Sequence, residues 1–235
     1  MQALILAGGL GTRLRSVVSD RPKAMAEVNG KPFLVYQLEQ LRQHHIVEVV
    51  LCVGFMHEVI EDYFGDGSQW NMKIRYSVER ALLGTAGALK LAESVIGDTF
   101  LLLNGDTFFE TDLSALIAFH CERRQHTDST LGTVALTQVD DASRFGAIEL
   151  EADDRIVSFA EKTVSQRREN WINAGIYVLD PEVLSMIPPA QKVSLEKEVF
   201  PAILRTASPL YGFRAQGFFV DIGTPEGLGQ FTKHL

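Results

Sequence analysis

Through the first half of the chain, short apolar runs alternate with amphipathic stretches. Ala3 to Ala7 carries no polar residue, the pattern of a strand buried on both faces of a parallel sheet. Pro32 to His45 then sets Leu34, Leu38 and Leu41 at helical spacing, with Pro32 suited to the first turn. Ile46 to Gly54 reads as a second parallel strand, His57 to Phe64 as a short helix ending near Gly65, and Met72 to Val78 as a third strand. Thr85 is expected to cap a helix running to about Val95. Thr99 to Leu103 is a buried strand that ends in Asn104-Gly105-Asp106, and Asp112 caps a helix with Leu113, Leu116, Ile117 and His120 on one face. This alternation implies an α/β fold: a Rossmann-like, mixed but mostly parallel sheet flanked by helices.

From Thr130 the pattern turns to strands. Leu131 to Val139, Phe145 to Leu150 and Ile156 to Phe159 are predicted strands, with Asp153-Asp154 as a turn. Pro181 opens a short helix that Pro188-Pro189 stops, and Ser194 begins another. Leu210 to Arg214 and Gly217 to Val220 are expected to pair with each other and deliver Asp221, before a last helix from Pro225 to Lys233. At 235 residues this suits a single domain, 1–129 forming mainly one part and 130–235 mainly another. No internal repeat is found, nor a hexapeptide β-helix after the last helix.

Charge narrows the function classes. With 22 basic and 30 acidic residues the net charge is −8, which argues against a nucleic-acid-binding surface. No apolar run is long enough to span a bilayer and no secretory signal is visible, so the expectation is a cytoplasmic protein without membrane contact. Cys52 and Cys121 lack metal or redox spacing and are expected to be reduced core thiols. His120 is assigned to structure, and Arg167 and Arg168 to a solvated loop.

The candidate chemistry begins where the first strand runs into glycines: Leu6-Ala7-Gly8-Gly9-Leu10-Gly11-Thr12-Arg13, then Pro22-Lys23. Gly8, Gly9 and Gly11 let an anion approach the main chain, and successive N–H groups in such a turn form an anion-binding concavity. Arg13 adds a planar fork suited to phosphate oxygens, and Lys23 a second cation. The Rossmann fingerprint lacks its last glycine here, and a P-loop lacks its Lys-Ser/Thr, so a tight strand-to-helix turn with surface cations stands as the alternative. Asp106, at the carboxyl end of a strand on the same sheet edge, is placed to hold Mg²⁺; a turn or capping aspartate is its alternative.

Leu-Ala-Gly-Gly-Leu-Gly-Thr-Arg-Leu followed by Pro22-Lys23 resembles the signature of the sugar-1-phosphate nucleotidyltransferases, and related motifs extend the likeness over essentially the whole chain. Arg15 to Lys23 is most similar to the branch that uses GTP and D-glycero-α-D-manno-heptose 1-phosphate. The resemblance implies the nucleotide-diphospho-sugar transferase fold with a small β-rich sugar-binding lobe, a nucleoside triphosphate and a sugar 1-phosphate as partners, and Mg²⁺ as cofactor. It implies catalytic roles for Arg13, Lys23 and Asp106, and metal ligation by Asp106 and Asp221. Leu6, Ala7, Gly8, Gly9, Gly11, Thr12, Glu79, Gly84 and Thr85 would bind the nucleotide. Gly146, Glu161, Lys162, Asn173 and Glu196 would bind the sugar phosphate, Thr163 standing where the family usually has proline.

Glu79 occupies the position that reads the nucleobase in similar enzymes. An ionised carboxylate only accepts hydrogen bonds, which matches the adjacent N–H donors of guanine and mismatches uracil; a solvated surface glutamate is the alternative. Glu196 is also explained as an exposed first-turn residue favoured by the helix dipole. The rival functions are a guanylyl-, uridylyl- or thymidylyltransferase for another hexose 1-phosphate, and a non-catalytic nucleotide-sugar sensor. Oligomeric state, homo-oligomers included, is left open by the sequence.

Overall fold

The computed structural model describes residues 1–14, 20–127, 129–139, 147–159 and 171–235. Its centre is a seven-stranded sheet of β1 (Gln2–Leu6), β2 (Glu48–Val53), β3 (Lys73–Val78), β4 (Phe100–Asn104), β5 (Gly132–Gln138), β6 (Trp171–Leu179) and β7 (Leu210–Arg214). The strand order is β7-β5-β6-β4-β1-β2-β3. Only β6 runs against its neighbours; β1 pairs in parallel with β2 and β4, β2 with β3, and β5 with β7.

The apolar runs follow from burial on both faces. Ala3 and Ile5 point to one core with Val49, Leu51, Leu101 and Leu103, beneath α1 (Phe33–Gln43), α2 (His57–Phe64) and α4 (Leu113–His126). Leu4, between them, points to the other core with Val50, Leu102 and Tyr177, beneath α3 (Gly84–Leu91), the turns at Pro181–Met186 and Leu195–Val199, and α5 (Phe200–Ile203). A third cluster seats α6 (Pro225–His234) under the glycine loop: Phe231 packs with Leu14, Phe33, Val220 and Ile222.

Most predicted elements are present with ends shifted by one or two residues. Four expectations are corrected. The helix after Gly84 is capped at Leu83 and ends at Leu91, because the Thr85 hydroxyl is engaged by Glu196 and Leu195 and does not cap. The strands Leu210–Arg214 and Phe219–Asp221 do not pair with each other; the first joins β5, and the second pairs with Thr107–Phe109. Cys121 is exposed on α4, so only Cys52 is a core thiol, its pKa pushed up to about 12 by burial. Ser194 does cap a helical turn, but that turn is π-helical over Leu195–Val199 before α5. His120 is structural: fully buried, it meets Thr133 Oγ1 at 3.0 Å and Asp180 at 3.5 Å.

Candidate active site

Strands β2 and β3 lie on one side of β1 and β4 on the other, so chain order reverses at the carboxyl ends of β1 and β4. Open α/β sheets bind ligands in the crevice at such a point. Here the glycine loop leaves β1 and the Asn104-Gly105-Asp106 turn leaves β4, and together they line a cleft of about 440 Å³ with Lys23, Glu79, Gly84 and Thr85. Leu6, Ala7, Gly8, Gly9, Gly11 and Thr12 all face it. Among the described residues the N–H groups of Gly8 through Thr12 have no partner in the chain. Such a row of free donors suits an anion. Gly11 sits at φ 58°, and a Cβ there would lie 2.9 Å from Lys23 Cβ, so the turn needs glycine both for its conformation and for the passage of Lys23.

Two carboxylates converge on that lysine. Lys23 Nζ forms a short ion pair with Asp106 Oδ2 and lies 3.9 Å from Asp221 Oδ1, while Arg13 approaches Asp221 Oδ2 at 3.6 Å. Distant sequence segments meet here because Asp221 pairs with Thr107 in the two-stranded ribbon, and the Ile222 N–H donates to the Asp106 carbonyl at 2.9 Å. Gly223 closes the arrangement: a Cβ at that position would fall 2.6 Å from Asp221, 2.7 Å from Lys23 Nζ and 2.8 Å from Arg13. Lys23 and Asp221 are mostly buried, whereas the Arg13 side chain is 62% exposed.

Glu79 is half-buried. Its side chain is packed between Gly8 and Gly54, where added Cβ atoms would come within 2.4 and 2.8 Å of it, and its Oε2 accepts from the Leu83 N–H at 3.0 Å. Burial raises its pKa, with the Leu83 hydrogen bond acting in the opposite direction. Asn173 and Glu196 stand further along the same side of the sheet, joined through the Tyr177 hydroxyl. Glu196 stands in the first turn after Ser194, half-buried and hydrogen-bonded rather than fully exposed. Gly146, Glu161 and Lys162 lie outside the described residues, as do Thr163, Arg167, Arg168, Phe145 and most of the stretch from Arg15 to Lys23.

Several contributors escaped the sequence reading. Buried Gln37 on α1 donates to the carbonyls of Asn104 and Thr107, at 2.9 and 2.8 Å, and pins the turn that presents Asp106. Its signal was a polar residue set into the Leu34/Leu38/Leu41 stripe. Lys192 also lines the cleft, and among the described residues it has no ion-pair partner. Nothing in its local sequence marked it.

A family model described as nucleotidyl transferase matches residues 2–235. The chain belongs to the nucleotidyl transferase family. Within this family it is 38% identical over 231 residues to the D-glycero-alpha-D-manno-heptose 1-phosphate guanylyltransferase of Campylobacter jejuni, covering 98% of each chain. It is also 38% identical over 228 residues to the mannose-1-phosphate guanylyltransferase of Mycobacterium tuberculosis, where it covers 96% of this chain but only 62% of the relative. Among solved nucleotidyl transferase neighbours, HddC from Yersinia pseudotuberculosis complexed with GMP-PN superposes with a TM-score of 0.83 at 30% identity, covering 99% of this chain and 98% of that one.

Proposed function

We propose that this protein transfers GMP from GTP to D-glycero-α-D-manno-heptose 1-phosphate, giving GDP-heptose and pyrophosphate. The observation that carries the reading is the meeting of Lys23, Asp106, Asp221 and Arg13 beside the glycine loop at the switch point of the sheet. The likeness to the heptose enzyme over nearly the full length of both chains supports the sugar. Equal identity to mannose-1-phosphate guanylyltransferases keeps mannose 1-phosphate as the second reading. We place the enzyme in the cytoplasm. Residues 1–129 would supply mainly the nucleotide side and 130–235 mainly the sugar-phosphate side.

In this reading an oxygen of the sugar phosphate attacks the α-phosphorus of GTP in line. The new P–O bond forms as the α–β bridging bond breaks, and its electron pair leaves with pyrophosphate. The nucleophile is already an anion, so no general base is required; the barrier lies in bringing polyanions together and holding charge on phosphate oxygens. Positioning and preorganised cations meet that demand. The Gly8–Thr12 amides cradle the triphosphate, Arg13 takes the leaving pyrophosphate, and Lys23 takes the α-phosphate and the incoming phosphate.

Asp106 and Asp221 fit a divalent cation, because both already face one ammonium group. Described residues offer no cluster of three or more ligating side chains, and Mg²⁺ characteristically needs only one or two carboxylates beside phosphates and water. When bound it would neutralise triphosphate charge. D221N is expected to move the Mg²⁺ titration of activity to higher concentration, about tenfold or more, with the fold intact. An unchanged titration would remove Asp221 from the metal site.

Glu79 would accept from the two guanine N–H donors while ionised. Because burial raises its pKa, it gains a proton at a higher pH than an ordinary glutamate as the solution is acidified. KM for GTP is therefore expected to rise as pH falls through that raised value, and to be flat at higher pH. In E79Q this limb should vanish; its persistence would show that another group titrates. The substrate test is pyrophosphate release with GTP, UTP, dTTP, CTP and ATP, each paired with mannoheptose, mannose and glucose 1-phosphates. Turnover confined to GTP with the heptose supports the reading, whereas preference for UTP or dTTP overturns the role of Glu79.

A further inference from the structure

Tyr177 lies mid-strand on β6 with no exposed surface, and its hydroxyl joins the two residues read as sugar contacts. It donates to Glu196 Oε1 at 3.3 Å and accepts from Asn173 Nδ2 at 2.9 Å. The Asn104 side chain is also within hydrogen-bonding reach of it. Burial, and then the Glu196 charge, hold the phenol well above the usual tyrosine range, so it keeps its single proton. A carboxylate cannot donate, so that proton goes to Glu196 and the hydroxyl oxygen is left to accept.

This polarity propagates outward. With Nδ2 committed to Tyr177 and Oδ1 accepting from the Gly175 N–H at 2.8 Å, the Asn173 amide has one orientation. At Glu196, Oε2 accepts from the hydroxyls of Thr85 and Ser194, both at 2.9 Å, while among the described residues Oε1 accepts only from Tyr177. The Thr85 oxygen is itself held by the Leu195 N–H at 2.8 Å. Among the described residues, one N–H on Asn173 and one acceptor position on Glu196 Oε1 remain uncommitted, beside the second lone pair of Asn173 Oδ1. Both residues stand at backbone irregularities, Asn173 where the β5–β6 register shifts and Glu196 in the π-helical turn, features that recur at functional sites.

We propose that Tyr177 is a positioning residue that fixes the donor–acceptor polarity of the sugar subsite, leaving one donor on Asn173 and one acceptor on Glu196 for a sugar hydroxyl that must both accept and donate. The proposal rests on the nucleotidyl-transfer reading and on Asn173 and Glu196 as sugar contacts. Such a site rejects an analogue lacking that hydroxyl more strongly than it rejects changes elsewhere on the ring, since two half-buried polar groups would lose their partner.

The test compares wild type and Y177F on the heptose 1-phosphate and its monodeoxy analogues. Wild type should show one ring position where deoxygenation is much the most damaging. In Y177F, KM for the heptose phosphate should rise about tenfold and the contrast between ring positions should flatten, with KM for GTP unchanged. A side-chain amide spectrum of the ¹⁵N-labelled wild-type protein needs no variant: adding the heptose phosphate should shift one Asn173 amide proton and leave the other. Folded Y177F with wild-type KM and contrast, or an Asn173 amide in which both protons or neither respond, overturns the inference while the reaction stands. Wild type silent towards every sugar phosphate overturns the nucleotidyl-transfer reading, and this inference with it.

Discussion

Replacing Lys23 with methionine is expected to lower kcat/KM by roughly 10²–10³-fold, the scale of losing a preorganised donor to transition-state charge. Lys23 is the cation on which Asp106 and Asp221 converge, and its side chain is only 12% exposed. It holds together two carboxylates that would otherwise repel, and it stands beside the glycine loop where the α-phosphate would lie. Methionine keeps the length and most of the packing but removes the charge. Steady-state rates of pyrophosphate release, with circular dichroism confirming the fold, check the result. A folded K23M enzyme within a few-fold of wild type would take Lys23 out of the chemistry. Arginine is no substitute at this position: the Gly11 turn leaves little room beside the lysine stem, and a planar fork cannot replace a compact ammonium between two carboxylates.

The largest expected loss of stability follows F231A, at about 3–5 kcal/mol of unfolding free energy. Phe231 is fully buried on α6 and makes edge or tilted ring contacts with Phe33 and Tyr36, both at 5.3 Å between centroids, and with Phe108 at 4.9 Å. Truncation leaves a cavity among aromatic rings that cannot all collapse into it. The same cluster contains Val220 and Ile222, the neighbours of Asp221, so the substitution loosens the carboxylate as well as the helix. Urea unfolding measures the first effect, and a weakened response to Mg²⁺ the second. A loss below about 1 kcal/mol would mean that α6 is not held by this ring.

Most of the sheet was legible from its central strands, Ala3 to Ala7 and Thr99 to Leu103 being apolar on both faces, whereas Lys73–Val78 alternates with an exposed face and Trp171–Leu179 was not assigned as a strand. The glycine loop and Asp106 were legible for a related reason, since each follows directly from such a strand. What local pattern did not carry was pairing at long range. Phe219–Asp221 was assigned to the wrong partner because a three-residue strand has no register signal of its own; its place is set by Thr107–Phe109 and by the aromatic cluster beneath. Gln37 and Gly223 act through neighbours far away in sequence, so their roles emerge only once the turn at Asp106 and the loop at Asp221 are side by side. Thr85 shows the same limit: its hydroxyl has the chemistry of a cap, but Glu196 takes it.

This crevice is expected to move a nucleotidyl group. Incubation with Mg²⁺, the heptose 1-phosphate and GTP labelled at the α-phosphorus tests it directly. The label is predicted to appear in a nucleotide-sugar, with one pyrophosphate released for each label transferred. Label that stays in GTP while the nucleotide is bound, or that leaves as GDP with orthophosphate, would contradict it.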